Sequence, residues 1–133
     1  MNNTDCIRLS FPVNPAYVSS ARLTVSSIAN RVRLDVDEIE DIKTAVSEAC
    51  IYIIKRAASS VGSNFEICFM PGKKDIAVEI VAQDNRDLKA QGLSQDEMSL
   101  MMIKALVDEF NITKPTQDQI LITMVKRHKE GGV

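Results

Sequence analysis

Two side chains in the stretch VSEACIYIIKRA, residues 46–57, are the first candidates for chemistry. Glu48 and Tyr52 are four residues apart, so a helix would place them one turn apart on the shoulder of its apolar face. A carboxylate there could act as a general base. On the residues alone, a solvated helix charge is the commoner role for Glu48.

The composition excludes several classes of protein. The chain has 133 residues, an apolar share of 45%, a charged share of 26% and a net charge of −2. These values predict one domain over residues 1–133, without the basic surface of a nucleic-acid-binding protein. No apolar run approaches the roughly 20 residues of a membrane-spanning helix, and the first residues lack the pattern of a signal peptide. We therefore expect a cytoplasmic protein with no nucleic-acid or membrane partner.

The cysteines and the histidine indicate neither a metal site nor a nucleophilic centre. Cys6, Cys50 and Cys68 are scattered and contain no C-x-x-C pair, which favours buried free thiols over a disulfide or a zinc site. His128 lies in the run KRHK at 126–129, which is typical of a solvated end, and has no evident partner. The sequence therefore predicts no metal site.

The elements of the N-terminal half follow from periodicity and capping signals. Residues 6–11 alternate as a half-buried strand, and Asn14 followed by Pro15 predicts the start of a first helix. Asp35 and Glu38 have the spacing of a capping box at the start of a second helix, which should end near residue 58. The predicted apolar face of the first helix comprises Val18, Ala21, Leu23, Val25 and Ile28.

In the C-terminal half the period changes. FEICFM and DIAVEIVAQ, separated by PGKK, predict an antiparallel hairpin. SQDEMSLMMIKALVDEF predicts a buried helix that opens with a second capping box, Ser94 and Glu97, and QILITMVK predicts a last strand. The order β-α-α-β-β-α-β predicts an α/β two-layer sandwich, with a mixed, mainly antiparallel sheet and helices on one face.

The stretch FPVNPAYVSSARLTVSSIANRVRLDVDEIEDIKTAVSEAC resembles the N-terminal half of the RsbW/SpoIIAB family. DEIEDIKTAVSEAC is its most specific part, and the resemblance extends more weakly through VDEFNI and the last strand, so it covers essentially the whole chain. Members are bacterial anti-sigma factors with serine-kinase activity on the histidine-kinase-like (GHKL) ATPase fold. The resemblance implies a sigma factor and a STAS-type anti-anti-sigma protein as partners, Mg-ATP as the family cofactor, and a homodimer.

Three family motifs can be compared with this sequence. In the family pattern E-A-x-x-N-A, the Glu polarises the attacking group and the Asn holds magnesium. Glu48 matches the Glu, and Tyr52 replaces the Asn. In D-x-G-x-G, the Asp accepts a hydrogen bond from the adenine amino group. Asp84 matches that Asp, with Arg86 and Leu88 in place of the glycines, whereas a one-residue shift would place Gln83 there instead.

The third motif is a glycine-rich lid ending in G-L-G-L, whose backbone N–H groups cradle phosphates. Asp96, Glu97 and Ser99 lie at or beside its glycine positions, and two acids would repel a triphosphate. The resemblance with its substituted motifs therefore predicts an anti-sigma-like binding protein without a bound cofactor and without kinase activity. Arg22 matches an arginine that the family uses for partner contact.

Two alternatives stay open. One is an active ATP-dependent serine kinase that retains Glu48 and Asp84 and holds magnesium in another way. The other is a non-catalytic dimerisation partner that regulates an active paralogue. Magnesium-dependent ATP binding would favour the first alternative, and co-purification with a paralogue, without direct sigma contact, would favour the second.

Overall fold

The computed structural model describes residues 5–57, 63–84 and 94–130, and of residues 94–97 it describes the helical backbone only. No helix in these ranges is both long and apolar enough to span a membrane. In chain order the elements are strand β1 (Ile7–Pro12), helices α1 (Val18–Ala29) and α2 (Val36–Arg56), strands β2 (Asn64–Pro71) and β3 (Asp75–Gln83), helix α3 (Ser94–Leu106), and strands β4 (Glu109–Thr113) and β5 (Gln119–Arg127).

The strands form one sheet with the order β1-β2-β3-β5-β4, and every pairing is antiparallel. One row of paired residues crosses all five strands: Leu9, Ile67, Ile80, Ile122 and Ile112. Because side chains alternate between the two faces of a strand, this row defines the inner face on which the helices pack. The α/β sandwich expected from the sequence is confirmed.

The start of α2 is fixed by the predicted capping box. Asp35 Oδ1 accepts a hydrogen bond from the Glu38 N–H at 2.8 Å, and Glu38 Oε1 accepts one from the Asp35 N–H at 2.8 Å. Two N–H groups at the helix start are thereby satisfied. Asn14 also acts as a cap, but the turn it opens is a 3-10 helix, Pro15–Tyr17, and α1 begins only after it.

Helix α1 packs on α2 through small residues. Ala21, Val25 and Ala29 are fully buried, at steps of four that keep them on one side of the helix. Leu23 was expected on this face and is instead 70% exposed, because it lies two positions from both Ala21 and Val25 and therefore points away from α2.

One strand escaped prediction. The apolar run of α3 was expected to continue through residue 110, but the helix ends at Leu106 and residues 109–113 form β4. The short run EFNIT alternates, with Phe110 and Ile112 half-buried and their neighbours exposed. Pairing with β5 decides the outcome, because a five-residue strand carries too weak a local signal to compete with an adjoining helical pattern.

The prediction of three free thiols was wrong for two of them. Cys6, just before β1, and Cys68, on β2, form a disulfide with a Cα–Cα distance of 6.2 Å. The register that pairs Ile7 with Phe69 brings these two residues together, although 62 positions separate them in the sequence. Cys50 is a buried free thiol, as expected, and burial raises its pKa to about 12.

The C-terminal run is not simply a solvated end. Lys126 is buried, and its Nζ donates to the Leu106 carbonyl at 2.8 Å and to Asp41 Oδ2 at 3.1 Å. His128 Nδ1 lies 2.9 Å from Glu38 Oε1, so the histidine has the partner that the sequence did not reveal. These contacts fasten the end of β5 to α2 and to the end of α3.

Candidate functional site

Four polar side chains meet where α2 and β3 end, and we refer to them as the Arg56–Asp84 cluster: Tyr52, Arg56, Asp84 and Lys114. Tyr52 and Arg56 lie one turn apart on α2, Asp84 follows β3, and Lys114 follows β4. The side chains of Arg56 and Asp84 are 1% and 0% exposed, whereas Lys114 reaches in from the surface and is 23% exposed. The cluster therefore contains an almost fully buried ion pair.

The geometry directs two cations at one oxygen of the carboxylate. Arg56 Nε and Nη2 donate to Asp84 Oδ2 at 3.2 and 2.9 Å, and Lys114 Nζ donates to the same atom at 3.4 Å. The guanidinium carbon of Arg56 also lies 5.5 Å from the centroid of the Tyr52 ring, within the range of a cation–π contact. Asp84 is therefore already an acceptor of charge-assisted hydrogen bonds from within the chain.

Strand parity explains why Asp84 faces inward. Ile80 and Ala82 of β3 are buried on the inner face, and Asp84 continues that alternation one step beyond the strand. Its N–H donates to the Asp118 carbonyl at 2.8 Å, which holds the backbone at this point. Gln83 is exposed, so the shifted alignment that would place Gln83 in the adenine-binding position points that side chain away from the core.

Because the ion pair is buried, removing either partner should lower the stability of the fold. Charges removed from water are tolerated only when they are paired, and removing one partner of a buried pair typically costs about 3–5 kcal/mol. Nη1 of Arg56 is buried and finds no acceptor among the described residues. Arg56 therefore depends on Asp84 for its compensation.

Tyr52 fills space as well as contacting Arg56. It is only 4% exposed and belongs to the hydrophobic core that α2 shares with the inner face of the sheet. Glu48, one turn earlier on α2, is half-buried. The two residues therefore have different environments, although they lie one turn apart on the same side of α2.

The remaining residues singled out from the second and third motifs lie in other places. Ser99 is half-buried on α3. Arg86 and Leu88 lie outside the described residues, as do the side chains of Asp96 and Glu97.

Arg22 lies on a separate surface, where α1 meets α2. Its Nη1 donates to Ser47 Oγ at 3.3 Å, and its Nη2 lies 3.8 Å from Glu40 Oε1. The side chain is 38% exposed, so its guanidinium is oriented by α2 and still accessible from outside. An oriented, accessible guanidinium is well suited to pairing with a carboxylate of another molecule.

A second polar cluster joins the start of α2 to the end of the chain. One carboxylate oxygen each of Asp35 and Glu38 and one ring nitrogen of His128 lie within 4.8 Å of one another. Glu38 Oε2 also accepts from the Lys129 N–H at 2.8 Å. Burial by itself would raise the pKa of Glu38, but hydrogen bonds from His128 and from the Asp35 and Lys129 N–H groups outweigh it and lower the pKa to about 2. The capping box and the contacts of Glu38 with His128 and Lys129 account for the cluster.

Sequence reasoning missed Arg56 and Lys114. A signal for Arg56 existed, since it follows Tyr52 by four residues and Glu48 by eight, and therefore shares their side of α2. Lys114 follows β4, the strand that was not predicted, so its approach to Asp84 depends on the pairing of β4 with β5.

Comparisons with known proteins give a consistent result. Residues 11–126 match the family described as histidine kinase-like ATPase domain. The chain is 36% identical over 118 residues to the serine-protein kinase RsbW of Bacillus cereus (strain G9842), covering 88% of this chain and 66% of that protein. It is 32% identical over 128 residues to the serine-protein kinase RsbW of Bacillus subtilis (strain 168), covering 84% of this chain and 79% of the relative.

The fold has a counterpart among solved structures. The crystal structure of the RsbU and RsbW domains of Rv1364c from Mycobacterium tuberculosis superimposes with a TM-score of 0.71, at 16% identity, over 93% of this chain and 32% of that one. At that identity the likeness concerns the fold.

Proposed function

The chain belongs to the histidine kinase-like ATPase domain family, and from that membership we propose that it is an anti-sigma-factor-like protein that acts by binding protein partners and not by using ATP. The observation that carries this proposal is the burial of Asp84 against Arg56. An adenine-binding carboxylate must be free to accept from the base, and here an internal guanidinium occupies it.

The cost of freeing Asp84 supports the proposal. Adenine would have to share this buried carboxylate with Arg56 and Lys114, which both donate to Oδ2, and a displaced guanidinium would need another partner in a buried place. The free energy at stake is about 3–5 kcal/mol, which is a large share of what a micromolar ligand gains on binding, about 8 kcal/mol. Breaking the pair to admit adenine would therefore weaken ATP binding by about two to four orders of magnitude.

The position that holds magnesium in the family also argues against ATP binding. Tyr52 stands where the family has an oxygen ligand, and its ring is in the core against the Arg56 guanidinium. Magnesium requires compact oxygen donors in near-octahedral geometry. The residues present therefore fit neither a magnesium ion nor an adenine ring at this place.

Partner binding on the α1–α2 surface is the positive half of the proposal. Arg22, oriented by Ser47 and Glu40, offers a preformed guanidinium to an acidic group of a sigma factor or of a STAS-domain anti-anti-sigma protein. Pre-orientation reduces the side-chain entropy that binding would otherwise cost. A homodimer is part of the same proposal, as it is the assembly that the family resemblance implies.

Direct binding measurements test this function. The sigma factors and STAS-domain proteins of the source organism, purified one by one, are titrated into the protein in the absence of nucleotide. At least one should bind, and Arg22→Ala should weaken that binding at least tenfold, which corresponds to about 1.4 kcal/mol. Arg31→Ala, at an exposed arginine beyond the end of α1, is the matched control and should leave the affinity unchanged.

Two results would contradict the proposal: no binding to any sigma factor or STAS-domain protein, or binding that appears only when ATP and magnesium are added. Equal loss in the Arg22 and Arg31 variants would instead remove Arg22 from the partner surface, because a general change in positive charge would then explain both effects.

An active serine kinase is the second candidate. Two observations favour it: relatives at 32% and 36% identity carry the name serine-protein kinase, and Glu48 is retained at the position of the family base. Transfer of labelled phosphate from ATP to a STAS-domain protein, lost in Glu48→Gln, would establish this activity in place of the first.

A further inference from the structure

We propose that Cys6 and Cys68 form a redox-active pair that exchanges with a dithiol, so that the attachment of β1 depends on the redox state. This is independent of the proposed partner binding. The disulfide joins the residue before an edge strand to the neighbouring strand β2, and it closes a separation of 62 residues that contains α1 and α2.

The two sulfurs differ in access, and this gives the exchange a direction. Cys6 is exposed, whereas Cys68 is only 8% exposed and points to the outer face of the sheet. An incoming thiolate can therefore reach Cys6 and not Cys68. In thiol–disulfide exchange a thiolate attacks one accessible sulfur of the disulfide, and the other sulfur leaves as a thiolate.

Charged side chains of both signs surround Cys68 on the outer face of the sheet. In the strand register Arg8 is directly opposite Cys68 on β1, and Glu79 is directly opposite it on β3. Opposite side chains on one face lie about 4.5–5.5 Å apart at Cβ. The cation of Arg8 favours the Cys68 thiolate, whereas the carboxylates of Glu66 and Glu79, which line the same small pocket, oppose it.

The exchange balances as a two-electron reaction. One thiolate of a dithiol attacks Cys6 Sγ, the Cys6–Cys68 bond breaks, and Cys68 leaves as a thiolate that takes up a proton. The second thiol of the reductant then attacks the mixed disulfide and releases Cys6. The dithiol becomes a disulfide, and the protein gains two thiols.

The third cysteine does not interfere. Cys50 is fully buried in α2, and burial raises its pKa to about 12, so it remains a protonated thiol that neither attacks nor is attacked. After reduction, β1 is still held to β2 by backbone hydrogen bonds, by side-chain packing and by the hydrogen bond from Asn64 Nδ2 to Ser10 Oγ at 2.9 Å, but no longer by a covalent bond. Because β1 is an edge strand, this end of the sheet becomes easier to open.

A redox titration of the full chain tests the proposal, with dithiothreitol as the dithiol and thiols counted by rapid alkylation and intact mass. Oxidised folded protein should carry no rapidly alkylated thiol, and reduction should expose two together while Cys50 stays protected. The melting temperature should fall on reduction by on the order of 10 °C, because the loop constraint on the unfolded chain is lost.

Variants make the assignment specific. In Cys6→Ser, at an exposed position, the melting temperature should no longer respond to dithiothreitol, whereas Cys50→Ala should retain the full response. Two rapidly alkylated thiols in air-oxidised folded protein would overturn the proposal, since the pair would not then be oxidised. A disulfide that persists in folded protein at high dithiothreitol concentration would also overturn it, since it would be structural and not exchangeable.

Discussion

The buried pair of Arg56 and Asp84 gives the sharpest mutational prediction. Asp84→Ala should destabilise the protein strongly, because it leaves the guanidinium of Arg56 buried without an anion. Arg56→Met should cost less, since Lys114 Nζ remains 3.4 Å from Asp84 Oδ2 and its side chain is partly exposed to water. The order of the two costs is therefore part of the prediction.

The magnitude follows from the geometry. At the observed 2.9 Å, and with an effective dielectric constant of about 20, two unit charges attract by about 6 kcal/mol. Desolvation of both groups offsets much of this attraction, so that removing one partner of a buried pair costs about 3–5 kcal/mol. Asp84→Ala should lie in that range, and the double variant should be less destabilised than the sum of the two single variants by at least about 1 kcal/mol.

Urea denaturation of the wild type, both single variants and the double variant measures this coupling. The pair of Lys43 and Glu40 on α2 is the control, and its coupling should be clearly smaller because the Glu40 side chain is 53% exposed to water. Additive effects of Arg56→Met and Asp84→Ala, or a milder effect of Asp84→Ala than of Arg56→Met, would refute the reasoning about the buried pair.

Three further predictions concern Glu38, Tyr52 and the packing of α1 and α2. The pKa of Glu38 is lowered from 4.5 to about 2, so its ionised form should contribute about 3 kcal/mol to the free energy of unfolding. This contribution should be complete above pH 4.5 and be lost between pH 4.5 and 2, as measured by urea denaturation at a series of pH values. Glu38→Gln should lack this pH-dependent contribution. Tyr52→Asn alone should not produce Mg-ATP binding in isothermal titration, because Arg56 still occupies Asp84. Ile53→Ala, at a fully buried position, should cost about 2–5 kcal/mol, whereas Leu23→Ala should change the free energy of unfolding by less than about 0.5 kcal/mol.

The elements that the sequence predicts well are those with strong local signals. The capping box of Asp35 and Glu38 and the apolar stripe behind it define α2 from neighbouring residues alone. The hairpin of β2 and β3 is equally local, because two alternating runs adjoin a short turn. Strand β4 has no such signal, since its five residues become a strand only by pairing with β5.

In the candidate site, too, single residues can be identified from the sequence, whereas their long-range contacts cannot. Tyr52 and Asp84 could be identified by comparison with a motif, but that Asp84 is already bonded to Arg56 depends on a contact across 28 residues. The disulfide depends on the β1–β2 register, and the partner of His128 lies 90 positions earlier, at Glu38. Long-range pairings of this kind leave no trace in local composition.

The measurement that tests the central claim most directly is isothermal titration of the purified protein with ATP, with and without magnesium. If Arg56 occupies the adenine-binding carboxylate, no binding heat should appear at high micromolar ATP under either condition, and ATP should not raise the melting temperature. Micromolar, magnesium-dependent binding would contradict the account, because Asp84 would then have to be released from Arg56 and magnesium held without the family asparagine.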